Sequence, residues 1–229
     1  MIELKDIEAI GEDHVGTSAE TPLRPDAFEL PDSEKIAIIA GHFEKIMLTL
    51  GLDLKDDSLA GTPKRVAKMY VQEIFSGLDP KNKPAISLFK NAYDYDQMLI
   101  EKDIEVYSVC EHHFVPIIGR AHVAYFAKND VIGLSKINRI VRHYSRRPGV
   151  QERLTVQIVE ELKSVLGTDD VGCVIEAKHL CVNSRGVGDT HSSTITSRYG
   201  GKFNDPSVKM EFLKHIGMAP LSIGTKIDI

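Results

Sequence analysis

The apolar residues of this chain change period more than once, and the order of those changes constrains its fold more than any single residue does. From Met98 to Cys110 and from Ile117 to Phe126, apolar and polar residues alternate with the period of two that a half-buried strand requires. Residues 135–145 and 152–166 then repeat at helical spacing, divided by Pro148-Gly149, and residues 172–182 and 192–200 return to the strand pattern. Two strand pairs flanking two helices predict an α+β fold, an antiparallel four-stranded sheet in ββααββ order with the helices packed on one face. A last short helix is expected at residues 206–216.

Ahead of this block the pattern is helical. Ile36, Ile39, Phe43, Ile46, Met47 and Leu50 recur at helical spacing behind the capping candidates Asp32 and Ser33. A second helix opens at Thr62-Pro63, with threonine as cap and proline at the first helical position, and closes near Gly77. Its apolar stripe is Val66, Met69, Tyr70 and Ile74, with Arg65 and Lys68 beside it. Residues 1–31 are polar, carry Pro22, Pro25 and Pro31 and keep no period, so they read as a flexible or wrapping arm. The expected division is an N-terminal arm and helical region at 1–94 and a sheet-bearing domain at 95–229.

A chain of 229 residues can bury a substantial core. It contains no apolar run of membrane-span length and no basic-then-apolar signal at its start, so a cytoplasmic protein with no membrane partner is expected. A net charge of −5 argues against a general nucleic-acid binder. Charge is locally uneven all the same. Between residues 136 and 153 stand Lys136, Arg139, Arg142, Arg146, Arg147 and Arg153 against the single acid Glu152, a place for a compact anion or a solvated helix face.

The three cysteines, Cys110, Cys173 and Cys181, are an odd number without a secretory signal, which points to free thiols, metal ligands or a nucleophile rather than a disulfide framework. "CEHH" at 110–113 falls where one strand ends and the next begins. Cys110 and His113, three residues apart at a strand end, can turn toward one ion, and zinc takes such thiolate and imidazole ligands. A third ligand is expected from "KHLC" at 178–181, which offers Cys181 and, two residues earlier on the same strand face, His179. The competing readings are buried cysteines acting as small hydrophobes, preferred for Cys173 in "VGCVIEA", and a Cys110–Cys181 disulfide. His14, His42, His143 and His215 read as ordinary surface or core residues.

Two further constellations suit a ligand. "GLSKINRIV" at 133–141 starts a helix with Ser135 as capping candidate, with backbone N–H groups that suit phosphate and Lys136 and Arg139 nearly one turn apart; Arg185 follows Cys181 by four residues. "PGVQERLT" at 148–155 places Gln151 and Glu152 at a helix start, where a carboxylate can accept from two adjacent N–H donors of a guanine-like edge, or can simply favour the helix dipole.

Taken together, "CEHHFVPIIGRAHVAY", "GLSKINRIV", "RRPGVQERLT", "HLCVNSRGV" and "TPKRVAKMYVQEIFSGL" resemble GTP cyclohydrolase I, in that order and over about residues 33–213. The resemblance implies a tunnelling fold behind a helical N-terminal region, with 95–229 as catalytic domain. It implies zinc-dependent conversion of GTP to 7,8-dihydroneopterin triphosphate and formate, the first step of tetrahydrofolate and pterin biosynthesis. Matched residue by residue, it implies Cys110, His113 and Cys181 as ligands of Zn2+, His112 and His179 in acid–base roles, and Gln151 and Glu152 on guanine. Ser135, Lys136, Arg139 and Arg185 match residues around the ribose and triphosphate, with Ser135 also in proton transfer; Arg65 and Lys68 match a phosphate-contacting pair from a neighbouring subunit. It further implies a homo-oligomer, two pentameric rings paired into a decamer with shared active sites. The rivals are another tunnelling-fold enzyme, which would want an all-histidine zinc set or a nucleophilic cysteine without zinc, and a non-catalytic zinc- and nucleotide-binding regulator. His191 has no role in this reading.

Overall fold

The computed structural model describes residues 18–218; the first part of the expected arm and the end of the C-terminal tail lie outside that range. The sheet strands are β2 (Met98–Cys110), β3 (Pro116–Phe126), β6 (Val171–His179) and β7 (Thr194–Tyr199), with β5 (Pro148–Gly149) added parallel to the end of β2. Their order is β5-β2-β3-β6-β7, and the pairs β2-β3, β3-β6 and β6-β7 are antiparallel. Between β3 and β6 come α4 (Leu134–Ser145) and α5 (Gln151–Leu166), so the expected ββααββ order is the one observed.

Burial follows from the strand period. Ile117, Ala121, Val123 and Tyr125 of β3 and Val171, Cys173, Ile175 and Ala177 of β6 point to one face, where they meet Ile137, Ile140 and Val141 of α4 and Leu154, Ile158 and Leu162 of α5. The other face is not left bare. Ala124 and Phe126 of β3 and Val174 of β6 pack there with Phe203 and with Phe212 of α7 (Pro206–His215). The two central strands are therefore buried on both sides at one end. The last helix covers the face opposite α4 and α5, which extends the expected one-sided packing.

The N-terminal region forms α1 (Asp32–Thr49), the short α2 (Asp57–Ala60) and α3 (Thr62–Met69). None of the expected caps Asp32, Ser33 and Thr62 acts as one: Pro31 precedes α1 and Gly61 precedes α3, both without a side-chain cap bond. The second helix also ends sooner than its stripe suggests. After Met69 the backbone widens into a π-type turn over Tyr70–Ile74, then tightens through Ser76–Leu78. There Gly77 donates to the Arg146 carbonyl, and a Cβ at this position would collide with the His143 carbonyl, so only glycine lets the region dock on the end of α4. A small two-stranded sheet that the apolar pattern did not announce joins β1 (Leu88–Lys90) to β4 (Asp130–Ile132). Among the described residues no helix is long and apolar enough to cross a membrane.

Candidate metal and substrate site

Cys110 ends β2, and the chain turns back into β3 through residues 111–115. The turn is closed by Phe114 N–H donating to the Cys110 carbonyl and Cys110 N–H to the Val115 carbonyl, each at 2.9 Å, with Phe114 in the left-handed region at φ 54°. Glu111 anchors this turn to α5. Its carboxylate receives Arg153 Nη1 at 2.5 Å, and Arg153 is almost wholly buried. Sequence reasoning gave Glu111 no role and counted Arg153 only in the basic stretch of residues 136–153, because their partnership spans 42 positions and no local spacing signals it.

Across β3, the strand β6 ends at His179, paired with Ile117. The next residues form a helical turn, α6 (Leu180–Asn183), so Cys181 stands on that turn and not on the strand as its apolar neighbours suggested. The strand stops because the next position opposite it is Pro116, which has no N–H to continue the ladder. This bend turns Cys181 toward the CEHH segment. The donor atoms of Cys110, His113 and Cys181 lie within 4.8 Å of one another. Cys110 Sγ and His113 Nδ1 are 3.8 Å apart, against about 3.6 Å for a sulfur and a nitrogen on one tetrahedral zinc ion. Arg185 Nη1 sits 3.1 Å from His113 Nε2; an ion on Nδ1 requires Nε2 to carry the proton, so metal binding would release Arg185 from this contact. Burial, with the facing Cys110 sulfur, pushes the Cys181 thiol up, an effect a divalent cation would reverse. The donor set fits zinc and leaves a tetrahedral ion one position for water or substrate. His112 stands alongside, its Nδ1 3.7 Å from Cys110 Sγ.

His179 ends the strand two residues before Cys181. Its Nε2 lies 2.8 Å from Gln151 Oε1, and its imidazole is held below the usual histidine range by burial, partly offset by Glu152. Gln151 is 1% exposed, and its amide nitrogen reaches Ile175 O, Thr194 O and Thr196 Oγ1, each at 3.0 Å. Glu152, one residue on in the first turn of α5, is exposed.

The remaining site residues lie elsewhere. Ser135 is not the cap of α4; Gly133 is, and Ser135 sits exposed one residue inside the helix. The other end of α4 runs beside Cys110's strand, where Ser108 Oγ donates to Arg147 O, while Asn138 reaches Glu101 near the start of β2. Ten residues separate Ser135 from Ser145, about 15 Å of helix rise, more than a lysine side chain spans. Lys136 in the first turn and Arg139 midway along α4 start about 13 and 9 Å of helix rise before Ser145. Arg65 donates to Ser58 O and Thr62 Oγ1 at the entry to its own helix, and Lys68 is exposed in the last turn of α3. One chain thus assembles Cys110, His112, His113, Gln151, His179, Cys181 and Arg185, with Glu152 adjacent, and does not bring Ser135, Lys136 and Arg139 to them.

The family model described as GTP cyclohydrolase I matches residues 39–217. The GTP cyclohydrolase 1 of Flavobacterium johnsoniae is 60% identical over 210 residues, covering 92% of this chain and 94% of that protein. Those of an Enterobacter species and of Escherichia coli O1:K1 / APEC are 50% and 49% identical, each over 93% of this chain and 96% of the relative. Among solved structures, an apo archaeosine synthase QueF-Like covers 45% of this chain and 93% of its own at a TM-score of 0.39 and 17% identity.

Proposed function

This chain belongs to the GTP cyclohydrolase I family, and from that premise we propose that it hydrolyses and rearranges GTP to 7,8-dihydroneopterin triphosphate and formate at the Cys110–His113–Cys181 group. The observation that carries the residue assignment is the meeting of two cysteines and a histidine from separate segments, with His112 beside Cys110 and His179 held by Gln151 two residues before Cys181. Zinc held by Cys110, His113 and Cys181 supplies an electrophile and makes water nucleophilic near neutral pH.

The protein's own groups then divide the work. Glu152 accepts from N1–H and the 2-amino group, which guanine has and adenine lacks. His112 protonates the imidazole ring of the purine at N7 as that ring opens, and His179, with Ser135, moves protons as the ribose opens and rearranges before the exposed amine closes the pterin ring. Lys136, Arg139 and Arg185, with Arg65 and Lys68, hold the triphosphate through charge-assisted contacts.

Ser135 and Lys136 stand in the first turn of α4 and Arg139 midway along it, so in this reading they serve a neighbouring subunit's site, as Arg65 and Lys68 do. Open edges support assembly. β5 covers the outer edge of β2 only at Val109 and Cys110, and β7 ends the sheet on the other side. The proposal therefore includes two pentameric rings joined edge to edge and paired into a decamer, residues 95–229 as the catalytic domain, and a cytoplasmic location. Incubating the purified chain with GTP should release formate and build a pterin chromophore, while guanosine should turn over very poorly. Equal specificity constants for the two would remove the basic residues from the triphosphate.

A further inference from the structure

We propose that Gln151 is a positioning residue for His179: its buried amide oxygen holds the imidazole as the Nε2–H tautomer and leaves Nδ1 as the nitrogen that exchanges protons with substrate. This rests on the assignment of His179 to the proton transfers above, and it moves Gln151 away from guanine.

The orientation of the Gln151 amide follows from its neighbours. One end of the amide faces the carbonyls of Ile175 and Thr194, which can only accept, so that end must be the NH2 group. The flipped amide would set an oxygen against two oxygens in a buried site. The third neighbour agrees. Thr155 Oγ1 donates to the Gln151 carbonyl at 2.8 Å, so in the 2.7 Å contact between the two hydroxyls Thr196 donates to Thr155 and keeps a lone pair for Gln151 Nε2. With the NH2 end so engaged, Oε1 faces His179 Nε2 at 2.8 Å and can only accept from it. A neutral imidazole that donates through Nε2 has Nδ1 as its acceptor.

Three elements thus fix one ring. Gln151 and Thr155 come from α5, Thr194 and Thr196 from β7, and Ile175 from β6, the strand that ends in His179. When Nδ1 takes a proton from the opening ribose, the ring becomes an imidazolium whose Nε2–H still points at Oε1. The proton returns to substrate at a later step, so the ring ends as it began. A group so committed has no free donor for a base edge, and Glu152 is left to read guanine.

The test uses the full-length, zinc-loaded protein with 15N-labelled histidine. Nitrogen NMR of the wild type, with the His179 signals identified by their loss in His179→Ala, should show a protonated Nε2 and an unprotonated Nδ1. Gln151→Met, which keeps length but offers no acceptor, should mix the two tautomers. In the same variant kcat for pterin formation should fall by about 10–100-fold, KM for GTP should stay within about 3-fold, and a ring-opened formamidopyrimidine triphosphate should accumulate. A protonated Nδ1 in the wild type would overturn the proposal even if the variant fails to fold. A raised KM with kcat unchanged would also overturn it and return Gln151 to the base. Absence of pterin from the wild type with GTP would instead strike the assigned reaction, while the NMR arm would still decide the Gln151–His179 pairing.

Discussion

Cys110 and Cys173 are both buried, yet only one of them can serve chemistry. Cys173 lies inside the main core on β6, where burial pushes its thiol up to about 12, so it stays a neutral hydrophobe. Cys110 and Cys181 face one another and His113. Cys181→Ser should therefore lose bound zinc and turnover together, while Cys173→Ser should keep both, as a metal assay paired with a GTP assay would check. Glu152 belongs to the same scale: under the proposed reading, Glu152→Ala should leave two guanine donors unpaired and weaken GTP binding by about 1–3 kcal/mol. Unchanged affinity in a binding titration would move base recognition elsewhere. Cysteine and histidine in short spacings are legible in a sequence because metal chemistry needs those residue types close together. The Glu111–Arg153 pair and the amide of Gln151 were not, since their partners come from distant segments and only the folded sheet brings them near.

Helices and strands were readable to within a residue or two where one face meets a core, as in β2, β3 and α5. The apolar pattern misled where tertiary contacts set the backbone. It ran β6 on through Cys181, although Pro116 ends the ladder, and it carried one helix to Gly77, although docking against α4 reshapes the chain after Met69. α4 also carries a consequence for acid stability. His143 is buried with its Nε2 2.8 Å from Arg147, and desolvation, then Arg147 and Lys83, hold its imidazole down to about 4. An unfolded histidine titrates near 6.5. Between those values the unfolded chain binds more protons than the folded one, so the stability owed to neutral His143 is present above pH 6.5 and is lost as pH falls toward 4. His143→Gln keeps an acceptor for Arg147 and should flatten that slope by about 1.4 kcal/mol per pH unit. Denaturant unfolding at several values between pH 4.5 and 6.5, roughly the window those two pKa values bound, would measure it, and an unaltered slope would exclude His143 as its source.

The described residues have a group able to hold a metal at one end of the sheet, basic residues in the first half of α4, and two strand edges open to pairing. No sequence spacing could reveal that separation, because it depends on the direction in which α4 crosses the sheet. If neighbouring copies complete each other's sites, Cys110→Ala and Arg139→Ala should each be nearly inactive alone. Oligomers reassembled from equal amounts of both should recover roughly a quarter of the wild-type activity, the fraction of interfaces with both halves intact. No recovery in verified mixed oligomers would place each site within one subunit. The central claim is that Cys110, His113 and Cys181 hold the ion needed to open the purine while His179 handles later proton transfers. The most direct measurement is a stopped reaction of each variant with GTP, resolved chromatographically and paired with a zinc assay. Zinc-loaded His179→Ala should open the purine ring and accumulate a formamidopyrimidine triphosphate without pterin, and Cys110→Ala should leave GTP intact. Rapid pterin formation by His179→Ala, or ring opening by zinc-free Cys110→Ala, would contradict it.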